Sequence, residues 1–189
     1  MTPAGSAVAS KLPFNTNYRC RRVQSIYTAS DISAVCLNGR LFNAIQLKIT
    51  AFPSQPMMNF RLEFAFTKEA SLKDSWLPTT TCYGPKHVQL AHLPRKDKWV
   101  TFALNKPIEW DRESNLVLQF YFEGNTVASD RGTTAAVDTG HEHRTRSYAT
   151  DDEFHSKLFD KTSSSVPCLR LQFTHECAEV TSLSHAAFI

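Results

Sequence analysis

The 189-residue sequence has little glycine and no long apolar run. It contains 6 glycines, and neither G-x-x-x-x-G-K-[ST] nor G-x-G-x-x-G occurs, so no phosphate-binding loop supports nucleotide binding. A G-x-S-x-G elbow, which would expose a serine nucleophile, is also missing. Because no stretch of about 18 apolar residues is present, the sequence predicts no transmembrane helix.

Paired cysteine motifs and glycosylation sequons are missing as well. The 5 cysteines are an odd number without a C-x-x-C pair, and no Asn begins an N-x-Ser/Thr triplet. The first twenty residues lack the apolar stretch of a signal peptide. These features predict an intracellular protein of the cytoplasm, cytoskeleton or an organelle. An extracellular location is the alternative if a leader has been removed.

Acidic residues are absent from positions 1–30, where Lys11, Arg19, Arg21 and Arg22 are all basic. The three arginines are candidate partner-binding residues for an acidic protein surface or an RNA backbone. The alternative is that they form the wet side of a first strand. The net charge of +3 is too small to favour nucleic acid as the main partner. An acid-poor start with Arg and Ser is also typical of an organelle transit peptide.

Apolar residues alternate with polar ones through most of the chain. The length suits one domain, and 42% hydrophobic against 21% charged residues indicates a packed core. The clearest run is 60–66, which places four large side chains on one face of a strand. We therefore predict an all-β fold, a jelly-roll-like antiparallel β-sandwich of eight or nine strands, with a barrel as the alternative. The predicted strands are 23–29, 41–49, 60–66, 88–93, 99–104, 116–122, 133–138, 145–150 and 168–173.

The same pattern divides the chain into three parts. Residues 1–12 are predicted as an N-terminal arm, 13–175 as the sandwich and 176–189 as a C-terminal tail. Within the sandwich, 68–85 shows no sustained period and is predicted to be a long connection with one helical turn near 69–75. The tail ends in two apolar residues that are candidates for docking on a partner, Phe188 and Ile189.

Two stretches resemble a known family. Residues 99–118 begin W-V-T-F-A-L-N-K-P-I-E-W-D-R-E-S-N-L. This segment resembles a motif of jelly-roll domains from bacterial surface and secreted proteins, in which two strands flank a Pro-aromatic-Trp-Asp-Gly turn. Pro13 and Phe14, followed by 24–32, are similar to the opening strand of that family and the turn after it. The resemblance implies a jelly-roll fold with an adhesive or accessory role, and it implies no particular ligand.

The turn inside this motif departs from the family. Arg112 and Glu113 stand where the family usually has Gly and a small residue, so we expect a different turn type or a longer loop. Asp111 and Ser114 are suited to accept turn N–H groups, and Asn115 tolerates an unusual backbone angle. The aromatic residues of this segment are expected to be buried, so folding alone explains the motif.

One cluster has metal-ligand residue types: His141, His143 and His155. If the segment is a strand, His141 and His143 share a face and both imidazoles can reach a Zn²⁺ ion. The favoured interpretation is a solvated polar loop, because no ligand spacing or nearby cysteine supports a site. The sequence therefore predicts no metal, no other cofactor and no catalytic residue.

Two functional hypotheses follow. The first is a non-catalytic structural or interaction module, a subunit of a larger intracellular assembly that binds other protein subunits through its tails. The second is a carbohydrate-binding or adhesive module that stacks a glycan on exposed aromatic rings, with Trp76 and Tyr83 as candidates. A metal enzyme using the three histidines is the least favoured hypothesis.

Overall fold

The computed structural model describes residues 8–34, 40–123, 132–151, 159–174 and 177–180. These residues form two antiparallel β-sheets packed as a sandwich, with one short helix, α1 (Ala29–Ser33), and one 3-10 turn (Leu90–His92). The strands are β1 (Val8–Ser10), β2 (Cys20–Tyr27), β3 (Leu41–Ala51), β4 (Met57–Thr67), β5 (Thr80–Val88), β6 (Arg95–Lys96), β7 (Trp99–Glu109), β8 (Asn115–Phe122), β9 (Thr133–Asp138), β10 (Thr145–Thr150), β11 (Phe159–Ser163), β12 (Ser165–Pro167), β13 (Leu169–Phe173) and β14 (Cys177–Val180).

The chain passes repeatedly from one sheet to the other. The six-stranded sheet has the order β11-β10-β2-β8-β4-β5. The second sheet has the order β1-β9-β3-β13-β14, with β12 on β9, β7 on β3 and β6 on β7. The predicted all-β sandwich is confirmed. The fourteen strand segments of the described part exceed the expected eight or nine, because β1, β6, β11, β12 and β14 have only two to five residues each and carry too little pattern to predict.

The core between the sheets is aromatic. Phe14, Phe60 and Phe102 are fully buried, and the ring centroids of Phe14 lie 6.2 Å from those of both Phe60 and Phe102. Each fully buried side chain of this size contributes on the order of 2 kcal/mol. Along β4 the inward residues Phe60 and Leu62 are buried, as the alternation of that run predicted.

The turn between β7 and β8 is held by its own side chains. Trp110 is buried, and its indole N–H donates to the Ser114 carbonyl at 2.8 Å. The Asp111 carboxylate accepts the N–H groups of Ser114 (2.7 Å) and Glu113 (2.9 Å), which confirms its predicted role. These bonds and the Ser114 hydroxyl lower the pKa of Asp111 to about 2. The turn is therefore stabilised while Asp111 is ionised, and this contribution is lost as the pH falls from about 4 through about 2.

The unusual backbone angle in this turn lies at Arg112 and not at Asn115, where we expected it. Arg112 has a φ of 69°, a conformation that glycine adopts more easily. Asn115 instead begins β8, where its amide accepts the Ala29 N–H and donates to the Glu69 carbonyl, each at 2.8 Å. The expected unusual backbone angle at Asn115 was wrong, because Asn115 is the first residue of strand β8.

The segment 68–79 has no helical turn, contrary to the prediction near 69–75. Its backbone groups bind the outer face of the six-stranded sheet. The Leu77 N–H donates to the Gln24 side chain at 3.0 Å, and the Gln24 amide donates back to the Leu77 carbonyl at 2.7 Å. Arg146 donates to the carbonyls of Leu72 (3.2 Å) and Lys73 (3.3 Å). These bonds replace the local ones that a helix would make.

The strand predicted at 88–93 is also wrong, since β5 ends at Val88 and a 3-10 turn follows. β5 begins at Thr80, inside the predicted connection. Its pairing with β4 shifts register three times between Met57 and Glu63, so its side chains do not alternate regularly between the two faces. The sequence consequently shows no strand period there.

Gly84 lies at one of these register shifts, and its substitution tests how closely the backbones of β4 and β5 approach each other there. A Cβ atom at Gly84 (φ 77°) would lie 2.3 Å from the Phe60 carbonyl oxygen, whereas one at Gly140 (φ 69°) would meet nothing within 4 Å. We expect Gly140→Ala to cost about 1 to 2 kcal/mol of unfolding free energy from its backbone angle alone. Gly84→Ala should cost a further 1 to 3 kcal/mol or so through overpacking. Equal losses in urea unfolding would contradict the close approach at Gly84.

Two strands lie in the segments predicted as arm and tail. β1 pairs with β9, and β14 pairs with β13, so both ends of the β1-β9-β3-β13-β14 sheet draw on residues outside 13–175. Among the described residues, no helix is long and apolar enough to cross a membrane. Cys20, Cys82 and Cys168 are buried and form no disulfide bond within the described ranges, and burial raises the pKa of Cys82 to about 12.

Candidate anion-binding site

Arg21 lies on the inner face of the sandwich. Side chains of β2 alternate between the two faces of the sheet, so Arg21 shares its face with Val23 and Tyr27, both members of the core. Only 5% of the Arg21 surface is exposed. An arginine is rarely buried to this degree unless a carboxylate pairs with it.

The charge of Arg21 has no counter-charge within the described residues. Its Nε donates to the Asn15 carbonyl at 3.1 Å, and its guanidinium carbon lies 5.0 Å from the centroid of the Tyr18 ring. Neither neighbour is a carboxylate, and no ion pair to Arg21 is formed in the described part of the chain. Burial lowers the pKa of Arg21 to about 10, so the group is still charged at neutral pH. A buried charge without a partner destabilises the fold.

A second buried arginine shows what a partnered one looks like. Arg144 is 3% exposed, and it donates to the Asp31 carboxylate at 2.5 Å. It also donates twice to the Ile26 carbonyl, at 3.0 and 2.9 Å. Asp31 in turn accepts the Thr28 N–H at 2.8 Å and caps α1. The charge of Arg144 is therefore neutralised by a carboxylate of the fold, whereas the charge of Arg21 meets no carboxylate among the described residues.

The Arg21 side chain lines a cleft of about 540 Å³. Its floor is the inner face of β2, β10 and β11, where Arg21 lies opposite Ala149, and Ser147 lies opposite Lys161. Its wall is the segment 11–18 that follows β1. We call this space the Arg21 cleft; it is lined by Lys11, Leu12, Asn15, Asn17, Tyr18, Arg21, Ser147, Ala149, Lys161, Thr162 and Ser163.

The lining of the Arg21 cleft is cationic. Lys11 and Lys161 add two charges to that of Arg21, and across the described ranges neither lysine forms an ion pair. The lining residues include no Asp or Glu. Charges of one sign in a low-dielectric concave site concentrate the field and attract the opposite charge. Guanidinium and ammonium groups bind oxyanions through short, charge-assisted hydrogen bonds.

The structure separates the three arginines predicted to bind a partner. Arg19 is exposed, and its backbone N–H donates to the Asp151 carboxylate at 3.2 Å. Arg21 enters the cleft. Arg22 lies on the outer face of the sheet, as expected if it forms part of the solvent-facing side of a first strand. There its Nε donates to the Gln119 side chain at 2.6 Å. The three do not form one basic surface.

Trp76 and Arg22, predicted separately, meet on the outer face. The Arg22 guanidinium carbon lies 4.3 Å from the Trp76 ring centroid, and that of Arg146 lies 5.5 Å away. Trp76 is half-buried. Its ring contacts two cationic side chains of the protein, so the ring is only partly available for stacking on a glycan. The pKa of Arg22 is lowered, mainly by burial.

Tyr83 does not serve as an exposed stacking platform, because only 3% of its surface is exposed. Its ring centroid lies 6.0 Å from that of Phe60 and 5.3 Å from that of Phe102. The half-buried aromatic rings that line a groove are instead Phe64 and Phe66, in an apolar groove of about 640 Å³. That groove has no buried unpaired charge among its lining residues, so it is less distinctive than the Arg21 cleft.

The histidine cluster is not arranged as the metal hypothesis requires. Residues 139–144 form a turn between β9 and β10, so His141 and His143 do not share the face of a strand. His141 is exposed, and His143 Nδ1 lies 2.8 Å from the Thr162 hydroxyl. The described residues contain no group of three potential metal ligands. His155, Phe188 and Ile189 lie outside the described residues.

Sequence reasoning found Arg21 and noted Lys11, but it missed Lys161 and Ser147. Arg21 carried a signal because it lies in an acid-free stretch. Lys161 lies on β11, a five-residue strand whose F-D-K-T-S sequence has no alternation of apolar residues. Only the β10–β11 register places it opposite Ser147.

Comparison of the chain with protein-family models, with curated proteins and with solved structures finds no match. The structure shows a sandwich of two antiparallel β-sheets; the resemblance of 99–118 to a jelly-roll family stays a prediction from the sequence.

Proposed function

We propose that the chain is a non-catalytic binding module that recognises an anionic group in the Arg21 cleft. The observation that carries this proposal is the burial of Arg21 without a carboxylate partner among the described residues. A bound anion supplies the missing counter-charge. It also accepts hydrogen bonds from donors of the guanidinium that the fold leaves unused.

The shape of the cleft favours the binding-module hypothesis over an assembly subunit held through its tails. Sites for small ligands are concave spaces of about 300 to 1,000 Å³, and the Arg21 cleft, at about 540 Å³, lies inside that range. Protein–protein interfaces are broader and have an apolar centre. The assembly hypothesis rests on the two chain ends and stays a prediction from the sequence.

The side chains that line the cleft support binding rather than catalysis. The cleft offers ammonium, guanidinium, hydroxyl and amide groups. Among its described lining residues there is no carboxylate, imidazole or thiol to exchange protons near neutral pH or attack a substrate. These groups are suited to hold and orient an anion.

Titration of the ¹⁵N-labelled protein with inorganic phosphate at constant ionic strength tests the proposal. We expect saturable shifts of the backbone amides of Ser147, Thr162 and Ser163, which line the cleft. Arg21→Met should abolish the saturable shifts, because it removes the charged guanidinium and keeps an unbranched apolar stem in the core. Arg22→Met is the matched control, since Arg22 lies on the same strand and the opposite face. Phosphate shifts that are linear, or that survive in Arg21→Met, would refute the proposed site.

A further inference from the structure

The Arg21 cleft is larger than an inorganic anion. A phosphate or sulfate ion fills the space of only a few water molecules, each of about 30 Å³ in the liquid. The cleft measures about 540 Å³. Most of its volume is therefore open to whatever carries the anionic group.

The lining outside the three cations mixes polar and apolar surface. Asn15, Asn17, Ser147 and Ser163 contribute amide or hydroxyl side chains, whereas the Thr162 hydroxyl lies beside His143. Leu12, Ala149 and the Tyr18 ring contribute apolar surface. Ser147 forms no side-chain hydrogen bond within the described residues, so its hydroxyl is available to a ligand. Such a lining suits a carrier that combines hydroxyl groups with apolar C–H faces, as a sugar ring does.

The number of cations favours an anionic group with several terminal oxygens. Three positive side chains line the cleft, and no acidic residue among the described lining offsets them. A carboxylate brings one negative charge and two oxygens. A phosphate monoester brings nearly two charges at neutral pH and three terminal oxygens that can reach separate donors. A sulfate monoester has the same three oxygens with one charge.

We infer that the Arg21 cleft binds a small phosphate or sulfate monoester whose carrier is a hydroxylated group of about the size of a sugar ring. The inference rests on the proposed function and adds the class of ligand. Arg21 and the two lysines contact the ester oxygens, the Ser147 hydroxyl binds a hydroxyl group of the carrier, and Leu12 and the Tyr18 ring pack against its apolar face.

The experiment compares dissociation constants, obtained from the same amide shifts, for four kinds of probe. These are inorganic phosphate and sulfate, a panel of hexose and hexosamine monophosphates and monosulfates, the unmodified sugars, and glucuronate. We expect at least one ester to bind ten times more tightly than the corresponding inorganic ion. Unmodified sugars should give no saturable shift, and glucuronate should bind at least ten times more weakly than the best ester. Phosphate and sulfate esters of one sugar distinguish the two chemistries.

The possible results distinguish the proposed anion-binding function from the proposed class of ligand. If inorganic ions bind in an Arg21-dependent way and no ester binds more tightly, the ligand class is refuted and the proposed function stands. The ligand class is also refuted if glucuronate matches the best ester. If neither ions nor esters produce shifts that Arg21→Met removes, both claims are refuted. Arg22→Met is expected to keep the order of affinities of the wild-type protein.

Discussion

Arg21→Met is expected to leave the ligand-free sandwich as stable as the wild-type protein or more stable, by up to about 4 kcal/mol. Replacing a buried ion pair by apolar side chains of similar volume is often neutral or stabilising, because the cost of desolvating the charges disappears. An unpaired buried charge carries that cost without the attraction of a partner, so its replacement should be at least as favourable. The substitution sacrifices one described side-chain hydrogen bond, from Nε to the Asn15 carbonyl, and the contact of the guanidinium with the Tyr18 ring. Such a bond contributes about 0.5 to 1.5 kcal/mol, or up to about 3 kcal/mol from a charged donor. Urea unfolding in a chloride buffer measures the difference.

Arg22→Met is the matched control for stability as well. Arg22 stacks on Trp76 and donates to Gln119, so its removal should lower the free energy of unfolding by about 1 to 3 kcal/mol. The two neighbouring substitutions are thus expected to have opposite or clearly unequal effects. A loss in Arg21→Met as large as that in Arg22→Met would show that Arg21 has a structural role.

Arg144→Met is expected to cost about 3 to 5 kcal/mol, because it breaks a buried ion pair and leaves its partner unpaired. The substitution removes the bond to Asp31 at 2.5 Å and both bonds to the Ile26 carbonyl. Asp31 is left with a carboxylate that is 13% exposed. The change is read from the urea unfolding midpoint and slope under the same conditions as for Arg21→Met.

The comparison of the two arginines is informative because their burial is nearly equal, 5% for Arg21 and 3% for Arg144. What differs is the carboxylate, which Arg144 has and Arg21 lacks within the described part of the chain. If Arg144→Met is tolerated as well as Arg21→Met, the missing carboxylate does not distinguish the two residues, and the assignment of Arg21 to a ligand loses its basis.

Much of the fold can be predicted from the sequence, because long strands carry a period. Eight of the nine predicted strands correspond to β2, β3, β4, β7, β8, β9, β10 and β13. The ninth failed at 88–93, and β5 was missed. Register shifts against β4 remove the alternation of β5, and a shift of register is a property of the strand pair. β1, β6, β12 and β14, with two to four residues each, are too short to show a period, and the five-residue β11 has no alternation of apolar residues.

The candidate site was predictable only in part. The acid-free start of the chain pointed to Arg19, Arg21 and Arg22 together, but the period of a strand sends Arg21 inward and Arg22 outward. Whether an inward arginine meets a carboxylate depends on which strand lies beside it. That neighbour is β10, and beyond it β11 contributes Lys161 to the same space. Sheet order of this kind is set by the whole fold and is not written in any local pattern.

The most direct test of the Arg21 cleft measures the free energy of unfolding of the wild-type protein and of Arg21→Met, each in chloride and in phosphate at equal ionic strength. Phosphate stabilises folded proteins generally, so the informative quantity is the difference between the two proteins. At ten times its dissociation constant, phosphate should stabilise the wild-type protein by about 1.4 kcal/mol more than the variant. Equal stabilisation of both proteins by phosphate would contradict the assignment of Arg21 to anion binding.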